Sequence, residues 1–340
     1  MIFHEKSSLN FNSCNCYLLP SEDGITAIDP GCSRENLIRA LEAAGANIQD
    51  IKNIVLTHGH SDHYGLVPYL KDVAGSQVYA HFFDRDILED GSKYIDFLFD
   101  RELLRPRRKF QDLVAILDNF VTVHEGGISR QDVNPIIQMI FDVWKIYDLP
   151  IDHEFGDGDL LPAGLEVIHL PGHTPGHCAF LDCEHSTIFN GDIDFNNRGP
   201  VVSCPRAVIS DFKSSIDKLI NVIQQHQITR LLPGHWNPIF VNLEERLQGF
   251  EVEFTAKESQ ILQILANNDP KTLDEITAVT FRDFIEYFQD FVDEETQDSF
   301  LVGEAAELQT NLNYLLELER QEKVGKSTED GQTVWFKKTS

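Results

Sequence analysis

The stretch Thr57-His-Gly-His-Ser-Asp-His-Tyr-Gly65 places four strong metal-ligand side chains, His58, His60, Asp62 and His63, within six residues. On a continuous helix, residues two apart point about 200° away from each other, so His58 and His60 can share one cation only from a loop. The run before them, 51–56, is apolar and β-branched and predicts a buried strand. After them, Leu66, Leu70 and Val73 have helical spacing over 64–73, with Ser61 or Asp62 placed to cap the first turn. The ligand-type residues therefore sit on a strand-to-helix turn. Two side chains can reach one cation from the loop, while Asp62 and His63 face a second from the helix start. Imidazole and carboxylate suit zinc, with iron or manganese as the other fitting metals.

The same device recurs along the chain. The run 165–170 reads as a strand and ends in Pro171-Gly-His-Thr-Pro-Gly-His177, where His173 is the candidate ligand and His177 the residue that fixes a ligand's orientation. A strand at 187–189 runs into Asn190-Gly191-Asp192, with Asp194 as the alternative carboxylate. A fourth, at 228–232, ends in Pro233-Gly234-His235-Trp236. In layered α/β folds such loops gather at one edge of a sheet. Upstream, residues 16–28 read as a hairpin ending in Asp29-Pro30-Gly31, either a plain turn or a carboxylate that orients the histidine loop. An amphipathic helix at 34–46 completes a βαβ unit, so the fold class is α/β in layers.

Composition bounds the rest. The 340 residues are 42% hydrophobic and 24% charged, as in globular proteins, and suffice for one large domain and a smaller one. No run has the apolar length of a membrane helix, and the first residues lack the basic start and apolar stretch of a signal peptide, so a cytoplasmic location is expected. Six cysteines form no CxxC pair and are expected to be reduced. A net charge of −27 repels polyanions and disfavours nucleic acid as a partner.

From 82 to about 150 the pattern is helical and aromatic, an insertion between two halves of the site. It carries a dense basic cluster, Arg101, Arg105, Arg107, Arg108 and Lys109, which reads as a solvated face or as a clamp for an anionic substrate. Gly126-Gly127 is a turn or a hinge. Beyond 240 the composition shifts: helices at 259–266, 272–279 and 304–322 precede a hairpin through Gly331. That pattern is similar to a winged helix. Residues 241–340 hold 22 Asp and Glu against 9 Lys and Arg, however, so an interface or substrate-covering role fits better than nucleic-acid binding. The expected division is a domain at 1–240 and a smaller one at 241–340, either insertion or C-terminal segment being able to mediate a homo-oligomer.

The Asp29 turn, His58-x-His60-x-Asp62-His63, His173, Asp192 and His235, each after a strand and in this order, resemble the metallo-β-lactamase superfamily over residues 10 to 240. The resemblance implies an αβ/βα four-layer sandwich with two metals at one sheet edge. By position His58, His60 and His173 are then ligands of the first metal, Asp62, His63 and His235 of the second, and Asp192 bridges. His60 stands where the flavodiiron branch usually has Glu, which favours two zinc ions and hydrolysis. The stretch 171–177 looks most like hydroxyacylglutathione hydrolases, although the insertion departs from their compact form. The expected function is metal-dependent hydrolysis of a small ester, thioester or lactone, with Asp62 also orienting the attacking water. The alternatives are a phosphodiesterase or endoribonuclease of the same superfamily, and a non-catalytic regulator that keeps the metals.

Overall fold

A computed structural model describes residues 14–124, 146–193, 200–266, 269–288 and 297–338. Two five-stranded sheets form its centre. The first has the order β1 (Tyr17–Ser21), β2 (Gly24–Ile28), β3 (Ile51–Val55), β4 (Gln77–His81), β5 (His153–Phe155), antiparallel between β1 and β2 and parallel thereafter. In the second, β6 (Leu160–Leu161), β7 (Leu165–His169), β8 (Cys178–Asp182) and β9 (Thr187–Gly191) pair antiparallel in sequence, and β9 also pairs in parallel with β10 (Arg230–Pro233).

Side chains alternate across the inner strands of both sheets, where the two faces are largely buried. Ile28, Val55, Val167, Phe180 and Phe189 point into a core between the sheets. Their neighbours Ala27, Ile54, Ile168, Ala179 and Ile188 point outward into a second apolar cluster under the helices. This explains the near-continuous apolar runs in the sequence. The outer layers are α1 (Arg34–Ala44), α2 (Ser61–Tyr64) and α3 (Val67–Ala74) on the first sheet's side, and α8 (Ile209–His226) on the second's, after α4 (Arg85–Glu89), α5 (Gly91–Leu98), α6 (Arg101–Leu104) and α7 (Gln111–His124) of the insertion. Ser33 caps α1 by accepting from Asn36 N–H, and Gly45 ends it in the left-handed conformation.

The helix expected over 64–73 is two helices. Leu66 N–H bonds to Gly31 O at 2.8 Å and Pro68 enters the first turn of α3, so the chain restarts there. Neither Ser61 nor Asp62 caps α2. His60 holds the cap position, and Ser61 N–H donates instead to the Tyr94 hydroxyl of α5 at 2.7 Å.

Beyond β10 come α9 (Leu243–Ile264), β11 (Lys271–Thr272), α10 (Leu273–Phe288), α11 (Gln297–Arg320) and a hairpin of β12 (Val324–Glu329) and β13 (Gln332–Lys337), with β13 between β11 and β12. Thr272 and Glu275 form a reciprocal capping box at the start of α10. α9 starts at Leu243 rather than at 259, because Leu247, Phe250 and Phe254 are buried, and Phe254 packs edge-on against Phe212 of α8 at 5.6 Å. Among the described residues no helix is long and apolar enough to cross a membrane. Asp194 and Gly126-Gly127 lie outside the described residues.

Candidate metal centre

β2 and β3 run parallel and end side by side, which brings Asp29 under the histidine loop. Asp29 has φ 48°, a left-handed backbone that Asp tolerates better than most residues, and it is buried. Its Oδ1 accepts from Thr57 N–H at 2.9 Å. Its Oδ2 accepts from the Thr57 hydroxyl at 2.6 Å and from His63 Nδ1 at 2.9 Å. With its proton committed to Asp29, Thr57 Oγ1 is left to accept from His58 Nδ1 at 3.0 Å. His173 Nδ1 donates to Val201 O at 2.8 Å. In all three rings Nδ1 is thereby engaged and Nε2 is the nitrogen turned to the site, where its lone pair is available once no proton sits on it.

Those lone pairs converge. His60 Nδ1 stands 2.8 Å from His58 Nε2 and 3.0 Å from His173 Nε2. Asp192 Oδ2 lies 3.8 Å from His58 Nε2 and 3.6 Å from His173 Nε2. Asp62, His63 and His235 form a second group, with Asp62 Oδ2 3.3 Å from His235 Nε2 and 3.8 Å from His63 Nε2. Asp192 faces this group as well, Oδ1 at 3.4 Å from His63 Nε2 and Oδ2 at 3.4 Å from His235 Nε2. All seven residues singled out as ligands are thus gathered at one sheet edge, in two clusters that share one carboxylate. His177 has neither ring nitrogen in them: Nδ1 donates to Leu170 O at 3.2 Å and Nε2 accepts from Asp192 N–H at 3.0 Å. It fixes the strand end from which Asp192 projects.

Other residues fasten the loops. A Cβ on Gly234 would collide with Asp192 Oδ1 and stand 2.8 Å from His63 Cε1, so only glycine allows the His235 turn so close to the cluster. The same turn is held by the start of the chain: Asn15 Nδ2 donates to Pro233 O and Trp236 O, Asn15 N–H to Gly234 O, and the Tyr17 hydroxyl to Pro233 O. Asp84, just past β4, ties the two histidine loops together. Its Oδ2 accepts from Gly59 N–H at 3.0 Å and the Thr174 hydroxyl at 2.7 Å, and its Oδ1 from Gly176 N–H at 2.7 Å. Sequence reasoning missed Asp84. Its only signal is its place directly after a strand that ends at the same sheet edge.

A family model for the metallo-beta-lactamase superfamily matches residues 9–235, which contain every residue of both clusters. The chain belongs to the metallo-beta-lactamase superfamily. Among curated superfamily relatives it is 28% identical to the hydroxyacylglutathione hydrolase GloC of Haemophilus influenzae, over 69% of this chain and 92% of that protein. It is 32% identical to the acyl-coenzyme A thioesterase MBLAC2 of Bos taurus, over 66% of this chain and 74% of that one. A metallo-beta-lactamase family protein from Thermus thermophilus has the same fold along nearly the whole length, with a TM-score of 0.65, 21% identity, and 96% and 94% of the two chains covered.

The electrostatics of this superfamily site reflect its burial. Burial first, and neighbouring imidazoles next, hold His58 far below the usual histidine range and His60 at about 3, so both rings are neutral. Burial also opposes a proton on His63 and His235, but Asp192 and its fellow carboxylates outweigh it, keeping His63 well above the usual value and His235 at about 9. Burial penalises the Asp192 carboxylate, yet His235 and His63 hold it ionised. Even so, His63 Nε2 and Asp192 Oδ1 are buried with no hydrogen-bond partner. These two atoms face each other across 3.4 Å beside three converging imidazole nitrogens, an arrangement that a cation fits by taking the place of the proton that the carboxylates otherwise hold on His63.

The basic cluster of the insertion is engaged mostly in ion pairs within the chain. Arg101 pairs with Asp96 and Asp118, Arg105 with Glu102 and Asp118, Arg107 with Asp274 of α10, and Lys109 with Glu304 of α11. Four of its five cations are engaged by carboxylates of this chain, two of them in the C-terminal segment.

Proposed function

We propose that the chain is a hydrolase that holds two zinc ions and cleaves a thioester or ester bond in a small molecule. The observation that carries this is the pair of adjoining donor clusters, with Asp192 of the first also standing 3.4 Å from both His63 and His235 of the second. His58, His60 and His173 would hold one ion, Asp62, His63 and His235 the other, and Asp192 would touch both. Two such cations supply an acidified water and a Lewis acid for the substrate oxygen. The chain's own residues supply the rest. Asp62 keeps part of its carboxylate exposed, so it can accept a hydrogen bond from the attacking water and orient it. His177 keeps Asp192 in place through its backbone N–H. Cys178 and Cys204 are poor nucleophiles, because burial holds their thiols protonated, Cys204 at about 12.

The substrate class rests on the relatives, a hydroxyacylglutathione hydrolase and acyl-coenzyme A thioesterases, whose substrates by name are thioesters. The internal pairing of the basic cluster and the acidic C-terminal segment speak against a phosphodiesterase that tracks a nucleic-acid backbone. The test is metal content per chain on protein purified without added metal, with turnover of glutathione and coenzyme A thioesters beside lactones and RNA. Two zinc ions with thioester turnover, both lost in His60→Ala, is the expected result. Thioester turnover that persists in metal-stripped protein would sink the reading.

A further inference from the structure

α11 is unusual in burying a row of polar side chains, among them Gln309, Asn311 and Asn313. Asn313 leaves its own segment. Its Nδ2 donates to Val202 O at 2.8 Å and to Cys204 O at 3.0 Å, and its orientation is set by Gln309 Nε2, which donates to Asn313 Oδ1 at 3.0 Å. The segment it grips, 200–208, contains no helix or strand. That segment in turn holds His173 twice: Val201 O accepts from the ring Nδ1 at 2.8 Å, and the Cys204 thiol donates to the His173 carbonyl at 3.2 Å. A side chain of the C-terminal helix therefore stands two hydrogen bonds from a ring that lines the first donor cluster.

We infer that Asn313 is a positioning residue for the metal centre, setting through the 201–204 backbone the tautomer and aim of His173, and so making the C-terminal segment part of the site. The inference rests on the reading of His173 as a metal ligand. An irregular segment has no ladder to fix its carbonyls, so two bonds from one rigidly held amide decide where the adjoining Val201 O stands. The carbonyl that accepts from the far nitrogen of a ligating histidine governs how well that histidine binds.

The molecule contains its own control. Asn311, also buried and two residues earlier on α11, donates to the Thr277 and Thr280 hydroxyls of α10 at 3.2 and 2.8 Å, entirely within the C-terminal segment. Loss of either asparagine should loosen that segment. Only loss of Asn313 should reach the metal.

The experiment compares the full chain with Asn313→Ala and Asn311→Ala in two measurements. Stripped protein is titrated with zinc against a chromophoric chelator, and histidine-selective proton–nitrogen spectra of the metal-free protein follow the slowly exchanging Nδ1–H of His173. Asn313→Ala is expected to weaken one zinc-binding step by about 10- to 100-fold and to abolish the Nδ1–H signal. Asn311→Ala should lower the melting temperature while leaving both readouts unchanged. Equal weakening in the two variants, or unaltered zinc binding in Asn313→Ala, would overturn the inference. If the unsubstituted chain takes up no zinc, the metal reading fails, and the spectra decide separately. Loss of the signal in Asn313→Ala alone keeps the coupling to His173, and its retention removes it.

Discussion

Gly234 shows how tightly the centre is built at the scale of one residue. Its missing side chain is the space in which Asp192 Oδ1 and His63 sit. Gly234→Ala should therefore leave the sheets folded but displace Asp192, giving protein with clearly lower metal content by elemental analysis and an almost unchanged far-ultraviolet spectrum. His81 offers a test away from the two donor clusters. It is buried, stacks on His169 at 4.2 Å, and its Nδ1 accepts from Phe83 N–H at 3.2 Å. Burial, and next His169, push its pKa from 6.5 to about 4. Between those values the folded chain binds fewer protons than the unfolded one, so stability is full above pH 6.5 and falls as pH drops towards 4. His81→Asn should flatten that limb of a plot of melting temperature against pH. An unchanged slope would assign the acid sensitivity to other groups.

Residues of this kind are unequally legible. The ligand-type side chains are readable because each follows an apolar strand and stands in a glycine-containing turn, a pattern that survives without any knowledge of pairing. Thr57, Asp84, Val201 and Asn313 carry no such mark, since each acts through a partner brought near by the fold rather than by spacing. Val201 acts through its carbonyl, which no sequence pattern distinguishes. The basic cluster can be seen but not interpreted from sequence, because its carboxylate partners Asp274 and Glu304 lie far along the chain.

Among the elements, the loops after β3, β4 and β7 act as one unit because Asp84 accepts from both histidine loops. Its carboxyl is pushed up to about 6 by burial, with the three donated bonds pulling the other way. Asp84→Ala would leave the Gly59 and Gly176 N–H groups and the Thr174 hydroxyl buried and unpartnered, a loss of about 2–4 kcal/mol. Urea unfolding should register it, together with reduced metal retention. A variant as stable as the parent would mean that these donors find other partners. The break between α2 and α3 belongs to the same scale. Spacing alone suggests one helix, and tertiary bonds from Gly31 and Tyr94 divide and redirect it.

At the scale of the whole molecule, insertion and C-terminal segment are joined by charge. Arg107 to Asp274 is one such pair, with Lys109 to Glu304 beside it. Arg107→Asp should lower the melting temperature by a few degrees, and adding Asp274→Arg should restore part of the loss, as expected for a half-buried pair contributing about 1 kcal/mol. Recovery in the double variant is the reading that matters. Additive losses would mean the pair is incidental. The layered architecture is legible from the recurrent strand ends, whereas the meeting of these two late segments is not, since helical periodicity fixes a face but not the partner that covers it.

The bonds from Asn15 and Tyr17 to the turn around His235 join the two ends of the sandwich across more than two hundred residues. A chain emerging from the ribosome can pair β1 with β2 and β2 with β3 early, yet the turn that carries His235 has nothing to dock on it until β10 has been made. The centre is therefore the last part of the sandwich to close during synthesis. Metal offered to a nascent chain would meet His58, His60, Asp62 and His63 long before His173, Asp192 and His235 exist, so assembly in the cell would favour loading after release over loading in passing.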